Sequence, residues 1–448
     1  MLGQRNEGLA AIARMERLLA AQADGAAWSN LIGRLYSLAD LPARAAPHFR
    51  RAVKIAPDNG RFVYDLAACE RMIGDLDAAR QDIDRALVLD PSNAEALWVR
   101  SDLDRASPEH NHIEDLERRL AAGLDPEREI FARYALAREC EEIGAWAEAF
   151  GHVERGAALR RQGLRYQGLR YDVRRDVAAL DRLRAHHTRA AATRAAQGCD
   201  DPRPIFIVGL PRTGTTLVER ILAGHPRVRL LGETSAFDRA LIDVSQATGL
   251  GASEAAVAEA GLDLPMDRLG MAYLTSAGVE GSRELRFVDK QPRNSLNVAL
   301  IAAALPRARI VLVDRDPIDA CWAIHKTLFL GGAYPFAASL PDLADYYAAW
   351  RRLADHWLAE FQGQIVHVRY EAVVRDFGAE ARRLVAGCGL DWSPKCLDFR
   401  SGARPSSTAS AVQIRRPLYA SSIGLWRHYQ AELSPLIERL DDQGALGR

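Results

Sequence analysis

Several features that mark common protein classes are missing from this sequence. No run of about 18 apolar residues occurs, and residues 1–7 lack the apolar core of a secretory signal. Lys+Arg and Asp+Glu number 59 each, so no excess of positive charge indicates a nucleic-acid partner. No CxxC pair predicts a disulfide framework or a zinc site; the cysteines are Cys69, Cys140, Cys199, Cys321, Cys388 and Cys396. These absences predict a cytoplasmic protein with no membrane segment.

The 448 residues suffice for two or three domains, and the first third of the chain repeats. A shift of 34 residues aligns Pro57 with Pro91, Ala45 with Ala79, and Phe49 with Ile83. Small residues where paired helices cross, large ones between them and a closing proline are typical of tetratricopeptide repeats. A further unit is visible around 136–156, and 93–124 forms a degenerate one. We predict an all-α tetratricopeptide solenoid over 1–165, with a generic helical bundle as the alternative.

The rest of the chain divides at a Gly/Asp/Pro cluster that ends with Pro202. Residues 166–202 form an Arg- and Ala-rich helical connector, whose basic side chains we interpret as a solvated helix face. Beyond it, apolar strand candidates at 285–288, 309–314 and 365–369 alternate with helical segments. Such alternation predicts an α/β domain over 203–448 with a central parallel sheet, in which ligands bind at the carboxyl ends of the strands.

That domain opens with a buried strand, a loop and a helix over 204–222. A loop at a helix N-terminus offers unpaired N–H groups and a positive dipole to an anion, so we expect a phosphate there. Gly209 and Gly214 have the spacing of a P-loop, but Thr215 stands where the P-loop lysine belongs. The basic residue lies inside the loop instead, as Arg212, suited to clasp a phosphate with its forked guanidinium. Ordinary NTP hydrolysis is therefore disfavoured.

Four ordered motifs together resemble one family. They are Pro-Arg-Thr-Gly-Thr-Thr-Leu at 211–217, Asp-Lys-Gln-Pro-Arg-Asn at 289–294, Arg-Asp-Pro at 315–317, and the late stretch 408–429. They resemble the bacterial sulfotransferases that carry tetratricopeptide repeats, distant relatives of the tyrosylprotein sulfotransferases. The resemblance covers 203–440 and, through the repeats, most of the rest. It implies 3′-phosphoadenosine-5′-phosphosulfate (PAPS) as co-substrate, no metal, and an acceptor hydroxyl on a protein, a peptide such as one bearing tyrosine, or a small molecule.

The resemblance also implies roles for individual residues. Glu233 would be the catalytic base, Lys290 would meet the bridging oxygen as it leaves, and Ser410 would contact the transferred group. Ala323 stands where the family usually has a serine that bonds the 3′-phosphate, and Arg415 or Arg416 could supply compensating charge, Arg416 being at the position where the animal relatives have a basic residue. The other cofactor-binding candidates are Arg212, Thr213, Gly214, Thr215 and Thr216 for the 5′-phosphosulfate and Arg315 for the 3′-phosphate.

Plainer interpretations stand beside these roles. Lys290 would be a surface lysine paired with Asp289, Glu233 a helix cap, and Ser410 a solvent-facing cap. Glu219 is expected on an exposed helix face. Asp316 is expected to form a turn. The two histidines His225 and His325 are expected to pack or hydrogen-bond rather than act as bases.

Two other functions remain open at this level. A P-loop NTPase or kinase-like enzyme would use Asp314 as its Walker B aspartate, although the loop lysine is missing. A non-catalytic scaffold would bind partners through its repeats and carry a degenerate second domain, with Ala323 as the supporting observation. In either case the repeats predict binding of a peptide or protein segment. The sequence alone identifies neither the acceptor nor the oligomeric state.

Overall fold

The computed structural model describes residues 11–18, 25–39, 41–166, 171–194, 198–247, 261–279, 285–330, 332–398 and 421–447. Its first part is helical throughout. The helices are α1 (11–18), α2 (Ala26–Leu38), α3 (Pro42–Ile55), α4 (Gly60–Ile73), α5 (Leu76–Leu89), α6 (Ala94–Leu103), α7 (Ile113–Ala121), α8 (Pro126–Ile143) and α9 (Trp146–Tyr166).

The helices pair as the 34-residue spacing predicts. Ala45 and Ala79, one repeat apart, are both fully buried where neighbouring helices meet. A Cβ on Gly33 would lie 2.7 Å from the ring of Phe49, so the backbone of α2 sits directly on that aromatic side chain. Helix starts recur at the same interval, because Asn59 caps α4 and Asn93 caps α6. The tetratricopeptide solenoid is therefore confirmed.

Two further helices, α10 (Val173–His186) and α11 (Arg189–Arg194), lead to the second domain. Leu180 and Leu183 of α10 are buried in that domain's core. His356 lies against the end of α10, with its Nε2 2.9 Å from the carbonyl oxygen of His187. Much of the connector is therefore packed against the second domain.

The second domain is built on a five-stranded parallel sheet in the order β2-β3-β1-β4-β5. The strands are β1 (Pro204–Gly209), β2 (Val228–Gly232), β3 (Arg286–Lys290), β4 (Arg309–Asp314) and β5 (Ile365–Arg369). The helices around it are α12 (Thr215–Ala223), α13 (Ala236–Ala247), α14 (Met266–Ala277), α15 (Val298–Ala304), α16 (Pro317–His325), α17 (Leu340–Glu360), α18 (Tyr370–Arg375), α19 (Phe377–Gly387) and α20 (Ser434–Asp442).

The central strand β1 is buried on both faces, as its apolar run predicts. Ile205 and Ile207 point into one core, and Phe206 and Val208 into the other. The α/β class and the parallel sheet are thus confirmed. Sequence analysis missed β2, an edge strand whose pattern is interrupted by the exposed Arg229.

The solenoid and the second domain share one core. Ala149 and Val153 of α9 belong to the same buried cluster as Phe206 of β1. Phe150 stacks on Trp322 of α16, with ring centroids 5.7 Å apart. Packing therefore continues across the predicted boundary at residue 165. Of the helices described here, none has the length and apolar content needed to cross a membrane.

Candidate active site

The loop between β1 and α12, residues 210–214, which we call the phosphate loop after the ligand that its sequence predicts, has glycines at its two ends that permit its backbone conformation. Gly209 has φ of 155° and Gly214 has φ of 100°, values that side chains disfavour. A Cβ on Gly214 would also lie 2.5 Å from the ring of Tyr370, so position 214 excludes any side chain for two reasons. Arg212 is itself left-handed, with φ of 66°, which is uncommon for a residue other than glycine. The loop thus presents a fixed, strained curve at the start of α12.

The threonines of this loop and of the start of α12 differ in whether their side chains stabilise the loop or line a cleft. Thr213 donates its hydroxyl to the carbonyl oxygen of Leu210 at 2.8 Å, so this side chain braces the loop. Thr215 and Thr216 form the first turn of α12 and line a cleft together with Arg212. Because the Thr213 hydroxyl is engaged within the loop, Thr213 would contact a ligand through its backbone N–H. The loop therefore offers two threonine side chains, one arginine and a helix N-terminus to an anion.

Lys290 and Glu233 form an ion pair where β3 and β2 end. The Lys290 side chain is 1% exposed, whereas that of Glu233 is 39% exposed. The interpretation of Lys290 as a surface lysine is therefore wrong. Capping at the start of α13 comes from Thr234, whose hydroxyl accepts from the Ala236 N–H at 2.9 Å, and Glu233 does not take that part. The pair therefore places a buried ammonium next to a partly exposed carboxylate. Lys290 is paired in the sheet with Ile207 of β1, the strand that leads into the phosphate loop.

Asp289, next to Lys290 in the chain, takes part in a different contact. Its Oδ2 accepts from the hydroxyl of Tyr273 at 3.1 Å. Complete burial raises the pKa of Asp289 to about 7. Asp289 therefore does not serve as the counter-ion of Lys290, and Glu233 has that position.

Arg315 follows β4 on the other side of the loop. Its Nη1 donates to the carbonyl oxygen of Arg212 at 3.2 Å, and its Nη2 donates to that of Ser422. The guanidinium lies 5.0 Å from the ring centroid of Tyr370, whose hydroxyl is 2.8 Å from Ser422 Oγ. Its Nε is buried and has no hydrogen-bond partner in the ranges that the structure describes. Arg315 therefore connects the phosphate loop to the segment that begins at residue 421.

A cleft of about 890 Å³ opens from the loop towards the repeats. One wall comes from the second domain and contains Thr215, Arg315 and Ala323. The other wall comes from the solenoid and contains Tyr134 and Glu141 of α8 and Trp146 of α9 among its residues. A volume of this size is typical of small-molecule and cofactor sites. The repeats therefore form part of the cleft that reaches the phosphate loop.

Asp314, the Walker B candidate, already has two side-chain partners. Its Oδ2 lies 2.7 Å from Arg351 Nη1 and 2.9 Å from His367 Nε2. Burial alone would raise the pKa of Asp314, but the bonds from His367 and Arg351 outweigh it and hold the pKa below its usual value. A carboxylate paired in this way is poorly suited to bind magnesium, which weighs against the NTPase interpretation.

The remaining candidates have mixed outcomes. Ser410, Arg415 and Arg416 lie outside the described residues. The expectation for Glu219 was wrong, since it is 5% exposed in α12. The expectation of a turn at Asp316 was correct, because its carboxylate caps the Ile318 and Asp319 N–H groups at the start of α16. His225 donates from Nε2 to the carbonyl oxygen of Asp391 at 2.8 Å, as expected of a structural histidine.

Sequence analysis missed Tyr370, although a signal for it exists. Tyr370 is the first residue after β5, and polar residues that follow strands of a parallel sheet gather at its ligand-binding edge. Lys290 and Arg315 lie at the ends of β3 and β4, and Tyr370 has the equivalent position at the end of β5. Lys326 and Glu141 carry no such signal, because they meet only through the docking of the repeats.

Comparison with known proteins agrees with this geometry. Residues 204–394 match the model of the sulfotransferase family, and residues 39–100 match that of the tetratricopeptide repeat. An uncharacterized protein of Aquifex aeolicus is 31% identical over 252 residues, which are 55% of this chain and 33% of that protein. Protein-tyrosine sulfotransferase 1 of Danio rerio is 24% identical over 257 residues, 53% of this chain and 71% of that protein.

Protein-tyrosine sulfotransferase 2 of Gallus gallus is 29% identical over 253 residues, which cover 53% of this chain and 68% of the relative. This chain thus spans only a third of the Aquifex protein's length. The matched region contains the phosphate loop, the Lys290–Glu233 pair and Arg315. These matches support a sulfotransferase-family domain over residues 204–394, preceded by tetratricopeptide repeats.

Proposed function

We propose that this protein transfers the sulfuryl group of PAPS to an acceptor hydroxyl by direct in-line displacement. The observation that carries the proposal is the buried ammonium of Lys290, paired with Glu233 beside a phosphate loop that lacks the P-loop lysine. Sulfuryl transfer needs a cation for the leaving oxygen and a base for the acceptor. The ion pair supplies one of each.

The order of the strands supports one orientation for the donor in this proposal. The phosphate loop follows the central strand β1, Lys290 and Glu233 end the strands on one side, and Arg315 follows a strand on the other. A donor with its 5′-phosphosulfate on the loop would direct its sulfur towards Lys290. Its 3′-phosphate would then lie towards Arg315 and the cleft between the two domains. In this arrangement Arg212, Thr215 and Thr216 bind the 5′ end.

The chemistry then follows from the two side chains. The acceptor oxygen attacks sulfur while the bond from sulfur to the bridging oxygen breaks, and that bond's electron pair stays on the 5′-phosphate. Negative charge on the bridging oxygen grows in the transition state, where the Lys290 ammonium stabilises it more than in the ground state. Glu233, whose carboxylate is partly open to solvent, accepts the acceptor's proton.

A polypeptide tyrosine is the first acceptor to test. Two matched relatives are named protein-tyrosine sulfotransferases, and the repeats provide a surface of the kind that binds peptide segments. Small phenols and carbohydrates are the competing acceptor classes. Because the reaction requires only a hydroxyl within reach of Glu233, the acceptor panel has to include all three.

The donor is tested first, by thermal-shift titration without magnesium. We expect 3′-phosphoadenosine-5′-phosphate (PAP) to raise the melting temperature, since arginines, threonines and backbone amides hold the phosphates. The second step is incubation with sulfur-35-labelled PAPS and the acceptor panel. Label should appear in an acceptor with the parent and be lost with Lys290→Met.

Lys395→Met serves as the matched control, because Lys395 is exposed and distant in sequence from every site residue. Stabilisation by ATP that requires magnesium, with no effect of PAP, would favour the NTPase instead. PAP binding without transfer to any acceptor in the panel would favour the scaffold.

A further inference from the structure

Lysine is rare in this chain, which has four lysines, at 54, 290, 326 and 395, against 55 arginines. Lys54 and Lys395 are exposed, and Lys290 belongs to the site described above. The remaining one, Lys326, is 22% exposed and directly follows α16. Because nearly every other basic residue of the chain is an arginine, we considered which contacts of the partly buried Lys326 suit an ammonium group.

Lys326 lines the same cleft as Arg212 and Arg315. Its Nζ lies 2.7 Å from Glu141 Oε2, a carboxylate that reaches it from α8 of the repeats. The ammonium also lies 5.9 Å from the ring centroid of Trp322. The contact therefore joins the two domains inside the cleft and not on the outer surface.

Positive charge exceeds available negative charge in this part of the cleft. Arg212, Arg315 and Lys326 line it. Glu141 pairs with Lys326, and Asp319 interacts electrostatically with Arg315. Asp319 is engaged with backbone, because it accepts from the Gly424 N–H at 2.6 Å and the Trp426 N–H at 3.3 Å. Burial and the nearby Arg315 and Arg212 lower the pKa of Lys326, while Glu141 opposes that change. An anion with more charge than Glu141 would be favoured here.

We propose that Lys326 binds the 3′-phosphate of the donor, and that Glu141 holds its ammonium in place until the donor enters. The inference rests on the proposed function, from which it takes the donor's orientation. Ala323 lines the cleft one helical turn before Lys326 and offers no polar group. Lys326 thus adds a charged hydrogen-bond donor to the wall beside Ala323. It also makes the repeat domain a direct partner in donor recognition.

The test compares PAP with AMP, which lacks the 3′-phosphate, by calorimetric titration. A charge-assisted hydrogen bond to phosphate is worth about 10- to 100-fold in affinity. We expect Lys326→Gln to weaken PAP binding by about that factor and to change AMP binding by less than about twofold. Glu141→Gln should leave PAP binding unchanged or make it tighter, because a competitor for the ammonium is removed.

The different effects of the two substitutions on PAP affinity distinguish a phosphate-binding role of Lys326 from a purely structural contact between the domains. If the pair only held the domains together, both substitutions would weaken PAP and AMP alike, and the inference would be wrong. Unchanged PAP binding in Lys326→Gln would also overturn it. Lys395→Gln is the control for loss of a lysine and should behave as the parent. Glu154→Gln is the control for loss of another interdomain contact, and it should keep the parent's preference for PAP over AMP.

Lys326→Arg provides a second test if the glutamine variant does not fold. It keeps the charge and the pairing with Glu141, so its preference for PAP over AMP should stay within about threefold of the parent's. A parent that binds neither nucleotide would contradict the proposed function itself, and the role of Lys326 would be rejected with it. A parent that binds both equally would contradict only the role of Lys326.

Discussion

His325 of α16 and Glu154 of α9 are joined across the two domains, with Nε2 2.8 Å from Oε1. The other ring nitrogen of His325 lies 2.9 Å from the carbonyl oxygen of Ala337. The hydrogen bond from His325 lowers the pKa of Glu154 below its ordinary value. This histidine thus fixes the last repeat against the helix that carries Ala323, which agrees with a structural role for His325.

Removal of residues 1–165 should destabilise the second domain. The deletion takes away Phe150 and Val153, which cover the largely buried Trp322 and its neighbours. We expect the truncated chain to bind a hydrophobic dye and to melt at a lower temperature than the full chain. The full chain should give one calorimetric transition. A truncated domain that melts as the parent does would show that the shared core contributes little.

Glu233→Gln tests the base. Glutamine keeps the size of the side chain but cannot accept the acceptor's proton, so turnover should fall by about 10²–10⁴-fold. PAP affinity should not change. Turnover is measured with whichever acceptor the panel identifies, and circular dichroism checks the fold. Turnover within a few-fold of the parent's would assign the base to another group.

Gly214→Ala tests the shape of the phosphate loop. The added Cβ is strained at φ of 100° and meets Tyr370 at 2.5 Å, so we expect a loss of at least about 1 kcal/mol in unfolding free energy and no detectable PAP binding. Gly378→Ala is the matched control. Gly378 lies in α19 with open space at its Cβ, so alanine there should stabilise by about 0.5–1 kcal/mol. Denaturant unfolding measures both.

Ala323→Ser tests whether the wall of α16 faces the 3′-phosphate. Ala323 is 7% exposed and lines the cleft, and a hydroxyl there would add a hydrogen bond to phosphate. We expect PAP to bind about tenfold more tightly and AMP to bind as before. Equal or weaker PAP binding would mean that position 323 faces another part of the ligand.

Asp289→Asn should change how stability depends on pH. The folded-state pKa of Asp289, about 7, lies above the ordinary value of 3.8, so the folded protein holds this proton more tightly than the unfolded chain does. The stability that results is complete below about pH 4 and is lost as the pH rises to about 7. Asparagine does not titrate. The melting temperature of the variant should therefore gain on the parent's between about pH 4 and pH 7, and a constant difference would contradict the raised pKa.

Much of the fold is predictable from local sequence. The 34-residue spacing and the apolar run of β1 are read from neighbouring residues, and both were confirmed. β3 is displaced from its expected position because the apolar run ends at Val288, whereas the strand continues through the buried Asp289 and Lys290. A polar residue inside a domain is difficult to anticipate, since its burial depends on a partner elsewhere in the chain.

The contacts within the site are even harder to predict from local sequence than the burial of Asp289 and Lys290. The partner of Lys290 is 57 residues away, and Glu141 is 185 residues from Lys326. Lys290 and Glu233 were each identified from a separate motif, but neither motif predicts the ion pair between them. Contacts between α8 and α16 depend on how two domains dock, which no periodicity records.

The shared core also limits how these domains can be recombined. A chimaera that exchanged repeats at residue 165 would replace Trp146 and with it the stacking on His428, whose ring centroid lies 4.1 Å away. A junction between α7 and α8 would instead leave the α8–α9 hairpin with the domain on which it packs. The α8–α9 hairpin therefore belongs structurally with the second domain, and the repeats before it are the part to exchange in such a chimaera.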